Sequence, residues 1–134
     1  MNRFVAARHR PDHPKEATVN VLVILNDPPY GTERSFNAFR LAQQLVRHED
    51  VTLRVFLMAD AASCAKRDQT TPNGYYNLER MLRAIVRKGA TVGACGTCMD
   101  ARGLSDDELL EGVHRSDMDE LGAWTLEADK VIVF

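Results

Sequence analysis

The chain has 134 residues, of which 45% are hydrophobic, and its 17 Lys and Arg residues nearly balance its 19 Asp and Glu residues. This length is typical of one domain, and the apolar content supplies a core that needs no metal ion or disulfide to hold it. A formal net charge of −2 excludes a broad basic surface, so nucleic acid is not an expected partner. The longest apolar runs, Val21–Leu25 and Val55–Ala59, are too short for a membrane helix of about 20 residues.

The first 18 residues differ from the rest of the chain. They are rich in arginine and histidine, contain Pro11 and Pro14, and show no periodic apolar pattern. They predict a basic N-terminal arm, possibly disordered, ahead of a single domain over residues 19–134. No apolar segment there is long enough for a secretory signal, and three cysteines are not the even set of a secreted disulfide framework. We therefore expect a reducing, cytoplasmic location.

The first part of the domain alternates between strand and helix signals. Val19–Leu25 is a β-branched run apolar enough to be covered on both faces, which predicts a central strand, and Val51–Leu57 repeats the pattern. Between them, Thr32 is expected to cap an amphipathic helix that continues through Arg47. After the second strand, Asp60 is expected to cap a short helix over residues 61–66.

The remaining segments continue this alternation. They are an exposed loop over Arg67–Asn77, an amphipathic helix from Leu78 that Gly89 ends, a strand over Thr91–Ala94, a helix that Ser105 opens through a capping box with Glu108, a strand over Gly112–Arg115, a helix capped by Ser116, and a final strand over Val131–Phe134. Five strands separated by helices predict a Rossmann-like, doubly wound α/β domain. Its mainly parallel five-stranded sheet would lie between two helical layers.

The segment with the most chemical information runs from Gly93 to Gly103 and contains Cys95-Gly96-Thr97-Cys98. It follows a strand and opens a helical turn, and reactive groups of open α/β sheets collect at the carboxyl ends of strands. Backbone amides and the positive end of a helix favour the thiolate, which is the nucleophilic form of cysteine. We therefore predict that Cys95 is a nucleophile.

The C-x-x-C spacing is compatible with several functions. Dithiol–disulfide exchange is one, although thioredoxin-type domains carry the motif after an early strand and here it follows the third. A zinc site is another, but it normally needs four ligands and no histidine lies at paired-ligand spacing. The third is a persulfide carrier, in which Cys95 receives sulfane sulfur and Cys98 resolves or protects it. A buried, inert cysteine is the structural alternative.

Three separated blocks resemble a known family. They are Pro28-Pro29-Tyr30-Gly31-Thr32 with the following Phe36–Ala42, then Cys95 seven residues before Arg102-Gly103, and the ending Leu121–Trp124 through Asp129–Phe134. From Val19 to Phe134 the chain resembles the DsrE/DsrF family of sulfur-relay proteins, the group that includes TusD. The resemblance implies a DsrEFH-like fold, a homo-oligomer that is commonly a trimer or hexamer, and a persulfide on Cys95 passed between donor and acceptor proteins. We expect no cofactor and no metal. Cys98 departs from the pattern, since members of the family can work with one cysteine at this site.

Several other residues are candidates for the site. Asn26, Tyr30 and Thr32 leave the first strand at the same sheet edge as Cys95 and are candidate ligands of a sulfur species, although a loop that only turns the chain would look the same. Gly96, Thr97 and Arg102 complete the candidate substrate-binding set. Arg102 and Asp100 either tune the thiol or form a solvated surface pair.

Three more side chains have mainly structural interpretations. Cys64 and Trp124 are expected in the core, with a subunit contact as the other possibility for Trp124. His114 has no sequence neighbour that would make it a catalytic partner.

The cysteine pair and the family resemblance together predict a sulfurtransferase-type persulfide carrier. The alternatives are a dithiol redox protein and a non-catalytic oligomeric scaffold.

Overall fold

Five parallel strands form one sheet in the computed structural model, which describes residues 18–134. The strands are β1 (Val19–Leu25), β2 (Val51–Leu57), β3 (Thr91–Cys95), β4 (Val113–Ser116) and β5 (Lys130–Val133). Their spatial order is β4-β3-β2-β1-β5, and every adjacent pair is parallel. The five predicted strands are confirmed, and the first is an interior strand, flanked by β2 and β5. The predicted N-terminal arm lies outside the described residues, except for its last position.

Four α-helices and two short 3₁₀ helices connect the strands within this part of the chain. The α-helices are α1 (Arg34–Leu45), α2 (Leu78–Arg87), α3 (Gly96–Ala101) and α4 (Met118–Glu127), and the 3₁₀ helices cover Ala59–Ala65 and Asp106–Glu108. The loop between residues 67 and 77 is present as predicted, and Gly89, with φ +110°, follows α2. No helix between residues 18 and 134 is long and apolar enough to span a membrane.

The two faces of the sheet are covered unequally. Side chains alternate along each strand, so Val21 and Val23 of β1 enter a large core with α1 and α2, whereas Leu22 faces the opposite side. Strands β1 to β4 are neighbours in chain order, each placed further toward one edge of the sheet. The chain then returns across the sheet and places β5 on the other side of β1. Right-handed connections put the helix of that return on the other face, where α4 packs through Trp124. The three-layer, doubly wound fold is confirmed.

Two predicted helix caps are each wrong by one position. The α1 helix begins at Arg34 after Glu33, and the Thr32 hydroxyl only accepts a long 3.4 Å hydrogen bond from the Arg34 amide. The α4 helix is capped by Asp117, whose carboxylate accepts from the Glu120 amide at 2.9 Å. At α4 the neighbouring Asp117 takes the capping position because β4 extends one residue further than predicted, to Ser116, whereas the Glu33 side chain before α1 makes no capping hydrogen bond.

The helices predicted after Asp60 and Ser105 are both reduced to 3₁₀ structure. Asp60 lies inside the 3₁₀ helix that begins at Ala59, so it does not cap it. The capping box of Ser105 and Glu108 is present, but it closes a single turn over Asp106–Glu108. The chain then turns inward, because Leu110 is buried and its amide donates to the Ala65 carbonyl at 2.8 Å.

Candidate functional site

Cys95 lies where β3 ends and α3 begins. It is the last residue of the strand and also the N-cap of the helix. Glycines stand at the second position before it and directly after it, where β4 passes close by. A Cβ atom on Gly96 would lie 2.6 Å from Arg115 Nη1 and 3.2 Å from the Ser116 carbonyl oxygen, and one on Gly93 would lie 3.0 Å from Ser116 Cβ. The two glycines therefore let the cysteine segment pack directly against the neighbouring strand.

The Cys95 sulfur is surrounded by hydrogen-bond donors although its residue is only 3% exposed. Burial alone raises the pKa of the thiol. The Thr97 hydroxyl, 3.3 Å from the sulfur, the Cys98 thiol, and the backbone N–H groups of Thr97 and Cys98 all favour the ionised form. These donors outweigh burial, so the pKa of Cys95 lies below its ordinary value of 9.0. The remaining neighbours are apolar: Leu22, Phe56 and Trp124.

Cys98 has a different environment three residues later. It is half-buried, and the Ala59 backbone N–H donates to its sulfur at 3.1 Å. Burial raises the pKa of the Cys98 thiol, and the interaction with Cys95 raises it further, because only one of the two adjacent sulfurs readily carries the negative charge. Cys95 is thus the more acidic thiol of the pair and Cys98 the less acidic one.

Arg102 acts on the Cys98 side of the site. Its Nε and Nη2 donate to Asp60 Oδ1 at 2.9 and 2.8 Å, and its Nη1 donates to the Cys98 carbonyl oxygen at 3.1 Å. Asp100 instead pairs with Arg115 at 2.9 Å. A surface pair between Asp100 and Arg102 is therefore wrong. Each residue pairs with a different element, and Arg102 ties α3 to the turn that contacts Cys98.

Asn26, Tyr30 and Thr32 follow β1 at the predicted edge of the sheet, but their hydrogen bonds go to other parts of the fold. Asn26 donates to the Phe134 carbonyl at 3.1 Å, and Thr32 donates to Asp27 Oδ2 at 2.9 Å. The Tyr30 hydroxyl donates to Gln69 at 2.5 Å and accepts from the Leu78 amide at 3.0 Å. These contacts hold the loops around α2 and β5. The role of the three residues as ligands of a sulfur species stays a prediction.

A polar network that the sequence did not predict lies on the α4 face. Glu120 Oε1 is 2.5 Å from His114 Nε2 and accepts from the Ser116 hydroxyl at 2.5 Å. These two contacts outweigh burial and hold the pKa of Glu120 below its ordinary value. Glu120 lies between Ser116 and His114, so the Ser116 hydroxyl is not bonded to the imidazole and a Ser-His-acid triad for acyl transfer is not formed. The sequence signal for the contact between Ser116 and Glu120 is their separation of four residues, which is the spacing of neighbouring side chains on a helix.

The network borders the cysteine site through Trp124. The His114 and Trp124 rings are 6.1 Å apart, edge to face, and Trp124 also packs edge to face on Phe56 at 6.3 Å. Trp124 is 6% exposed and Cys64 is fully buried, so the predicted core positions of both are confirmed. In the described part of the chain, no three His, Cys, Asp or Glu side chains are grouped as metal ligands would be.

Comparison with known proteins gives one consistent result. Residues 19–134 match the DsrE/DsrF-like family. Protein YchN of Escherichia coli strain K12 is 41% identical over 115 residues, which cover 85% of this chain and 97% of that protein. The crystal structure of the E. coli ychN protein has a TM-score of 0.82 at 40% identity and covers 87% of this chain and 100% of that one. Sulfurtransferase TusD of Buchnera aphidicola is 27% identical over 93 residues, or 69% of this chain and 73% of that protein.

Proposed function

This chain belongs to the DsrE/DsrF-like family, and from that premise we propose that it accepts a sulfane sulfur on Cys95 as a persulfide and passes it to an acceptor protein. The observation that supports this most is the position of the Cys95 sulfur at the start of α3, 3.3 Å from the Thr97 hydroxyl, where nearby donors favour the nucleophilic thiolate. The similarity to a protein named sulfurtransferase TusD supports a role in sulfur transfer.

The proposed reaction consists of two thiol–persulfide exchanges. The Cys95 thiolate attacks the outer sulfur of a donor persulfide, a new S–S bond forms, and the donor leaves as a thiolate that takes a proton from solvent. An acceptor thiolate then attacks the terminal sulfur and regenerates the Cys95 thiolate. The sulfur keeps its oxidation state throughout, so neither step needs an external oxidant or reductant. Thr97 and the amides at the start of α3 stabilise the negative charge of the free Cys95 thiolate, before it accepts sulfur and after it has released it.

The α4 face supports the homo-oligomer that the family resemblance implies, a trimer or hexamer. Four large apolar side chains are exposed there and on the adjoining edge strand: Met118 (55%), Leu126 (90%), Val131 (43%) and Val133 (61%). Apolar surface of this kind is normally covered by another chain. We propose a second copy as that chain, with sulfur donor and acceptor proteins as transient partners. Sedimentation equilibrium gives the number of chains, and a monomer at micromolar concentration would contradict the proposal.

A persulfide assay tests the proposed activity. Because Cys95 is only 3% exposed, the full chain is incubated with inorganic polysulfide, a donor small enough to enter, and each cysteine is then examined by mass spectrometry. We expect a gain of one sulfur atom at Cys95, loss of that adduct in Cys95→Ser, and its retention in the matched control Cys64→Ala. A dithiol redox protein would instead lose two hydrogens as a Cys95–Cys98 disulfide. A scaffold would show no adduct at either cysteine.

A further inference from the structure

One member of the buried cluster around Cys95 comes from outside the sheet. Leu22 and Phe56 lie in β1 and β2, and Cys95 ends β3, so strand pairing fixes these three positions. Trp124 lies in α4 and is the only buried residue of that helix. Of the four, only Trp124 can therefore move away from Cys95 while the sheet stays intact.

The register of the strands places Trp124 beside the cysteine. Phe56, Gly93 and His114 are partners across β2, β3 and β4. Cys95 is two residues beyond Gly93, so its side chain points to the same face of the sheet. The indole packs edge to face on both outer members of this row, with ring centroids 6.3 Å from Phe56 and 6.1 Å from His114. It therefore covers the sheet next to Cys95 on the α4 side.

Two carboxylates of α4 hold the groups that flank the indole. Glu120 Oε1 is 2.5 Å from His114 Nε2. Glu127 Oε1 is 2.5 Å from Arg54 Nη1, and Arg54 Cζ lies 5.6 Å from the centroid of the Trp124 ring. Glu120 and Glu127 are at helical spacing from Trp124, so the three share one face of α4. Both pairs are partly exposed and contribute little free energy, so the indole is held by contacts that open readily.

Resting on the proposed persulfide chemistry at Cys95, we propose that Trp124 is a specificity-determining residue that selects sulfur donors and acceptors by size. With the indole in place, Cys95 is 3% exposed, and a species of a few atoms, such as inorganic polysulfide, reaches it through small movements of side chains. A bulky persulfide or thiol, such as that of glutathione, needs Trp124 to leave its position. The bound sulfur is thereby shielded from thiols in solution until a partner protein displaces the indole.

Two maleimides of different size test this selection, because both react with the same thiolate. The rates at which N-ethylmaleimide and fluorescein maleimide modify Cys95 are measured in the full chain by residue-resolved mass spectrometry. The ratio of the two rates removes any change in the acidity of the thiol. We expect Trp124→Leu to raise the rate of the fluorescein reagent relative to that of N-ethylmaleimide by about ten-fold. Thr125→Ala, at the exposed position next to Trp124, is the matched control and should leave the ratio unchanged.

A second variant separates size selection from loss of folding. Glu120→Gln combined with Glu127→Gln keeps the indole but weakens the two contacts that flank it, and we expect a smaller increase of the same ratio. A variant that unfolds would also expose Cys64, whose modification is followed in the same spectra. An unchanged ratio in Trp124→Leu with Cys64 unmodified would overturn the proposal. If Trp124→Leu exposes Cys64, an unchanged ratio in the doubly substituted chain overturns it instead.

Sulfur loading extends the test to the proposed substrates. We expect inorganic polysulfide to load Cys95 equally in the unaltered chain and in Trp124→Leu, and glutathione persulfide to load Trp124→Leu several-fold faster than the unaltered chain. Equal relative rates of the two donors in both chains would contradict selection of sulfur species by size. If no persulfide forms in any chain, the proposed function fails, and the ratio of the maleimide rates still decides the role of Trp124.

Discussion

Cys64 and Cys95 are both buried cysteines, but their surroundings are opposite in character. Cys64, in the 3₁₀ helix Ala59–Ala65, is fully buried in the larger core, and its thiol points toward the Asp27 carbonyl oxygen at 3.9 Å. Cys95, at the end of β3, faces the Thr97 hydroxyl, the Cys98 thiol and two amides. The first sulfur therefore meets an acceptor and, as its main compensating group, the Ser35 hydroxyl, whereas the second meets several donors.

The two environments give the thiols opposite acidities. Burial raises the pKa of Cys64 to about 12, whereas the donors hold that of Cys95 below 9.0. Low exposure therefore does not decide whether a cysteine is inert. The polarity of the groups that face the sulfur decides it, because only donors compensate a buried negative charge.

The largest expected effect is in chemical reactivity. At pH 7, iodoacetamide should alkylate Cys95 at least about 100-fold faster than it alkylates Cys64. The thiolate fractions differ strongly, complete burial slows Cys64 further, and the lower nucleophilicity of a low-pKa thiolate offsets only part of this. Residue-resolved mass spectrometry over time gives both rates. Comparable rates would mean that the donors around Cys95 do not stabilise its thiolate.

A second effect concerns stability at alkaline pH. An unfolded chain releases the Cys64 proton near pH 9.0, whereas the folded chain keeps it until about pH 12. The unfolded state therefore binds fewer protons in this window, and Cys64 lowers the free energy of unfolding as pH rises, by about 1.4 kcal/mol per pH unit. The lowered pKa of Cys95 has the opposite sign: its contribution is present above pH 9.0 and is lost as pH falls through the folded pKa.

The Cys64→Ala substitution separates the contribution of Cys64 to the free energy of unfolding from that of the other groups that titrate above pH 9. At pH 8 the variant should be less stable by about 1 kcal/mol, because it lacks a buried side-chain atom. That difference should shrink and then reverse between pH 9 and about pH 11 as the alkaline penalty of Cys64 grows in the unaltered chain. Urea unfolding at each pH gives the free energies. A difference that stays constant with pH would show that burial does not raise the Cys64 pKa.

The smallest effect tests a single donor. Thr97→Val removes the hydroxyl 3.3 Å from Cys95 and keeps the branched shape of the side chain. Loss of one hydrogen bond to the thiolate should slow Cys95 alkylation at neutral pH by about five-fold, equivalent to about 1 kcal/mol. Thr97→Ser is the matched control and should retain the rate of the unaltered chain. Equal rates in Thr97→Val and Thr97→Ser would assign the stabilisation of Cys95 to the amides and Cys98.

Strands were predicted more accurately than helix ends, and the reason is physical. A strand such as Val51–Leu57 lies in the middle of a parallel sheet, so five of its seven residues are apolar and its bounds are visible. A helix end depends on a single hydrogen bond, and at Ser116–Asp117 either side chain can supply it. The capping box at Ser105 was recognised correctly, but the box specifies only where a turn begins, and packing of Leu110 ended it after three residues.

The site shows the same division. The position of Cys95 at a strand end follows from local pattern alone, because the apolar run stops there and a glycine begins the next turn. The partners of Arg102, Asp100 and Cys98 do not, since each is contacted by a residue on another element: Asp60, Arg115 and Ala59 respectively. The pair of Ser116 and Glu120 lay at helical spacing, but His114 joins it only because β4 ends beside α4.

The sequence by itself determined the alternation of strands and helices, the parallel sheet and the placement of a cysteine pair at its carboxyl edge. These features depend on hydrophobic periodicity and turn chemistry, which act within about ten residues of chain. The tertiary structure alone decided the partners of Cys98, Asp100 and Arg102. Those partners are Ala59, Arg115 and Asp60, which lie on other elements and contact this segment only when the sheet brings them together.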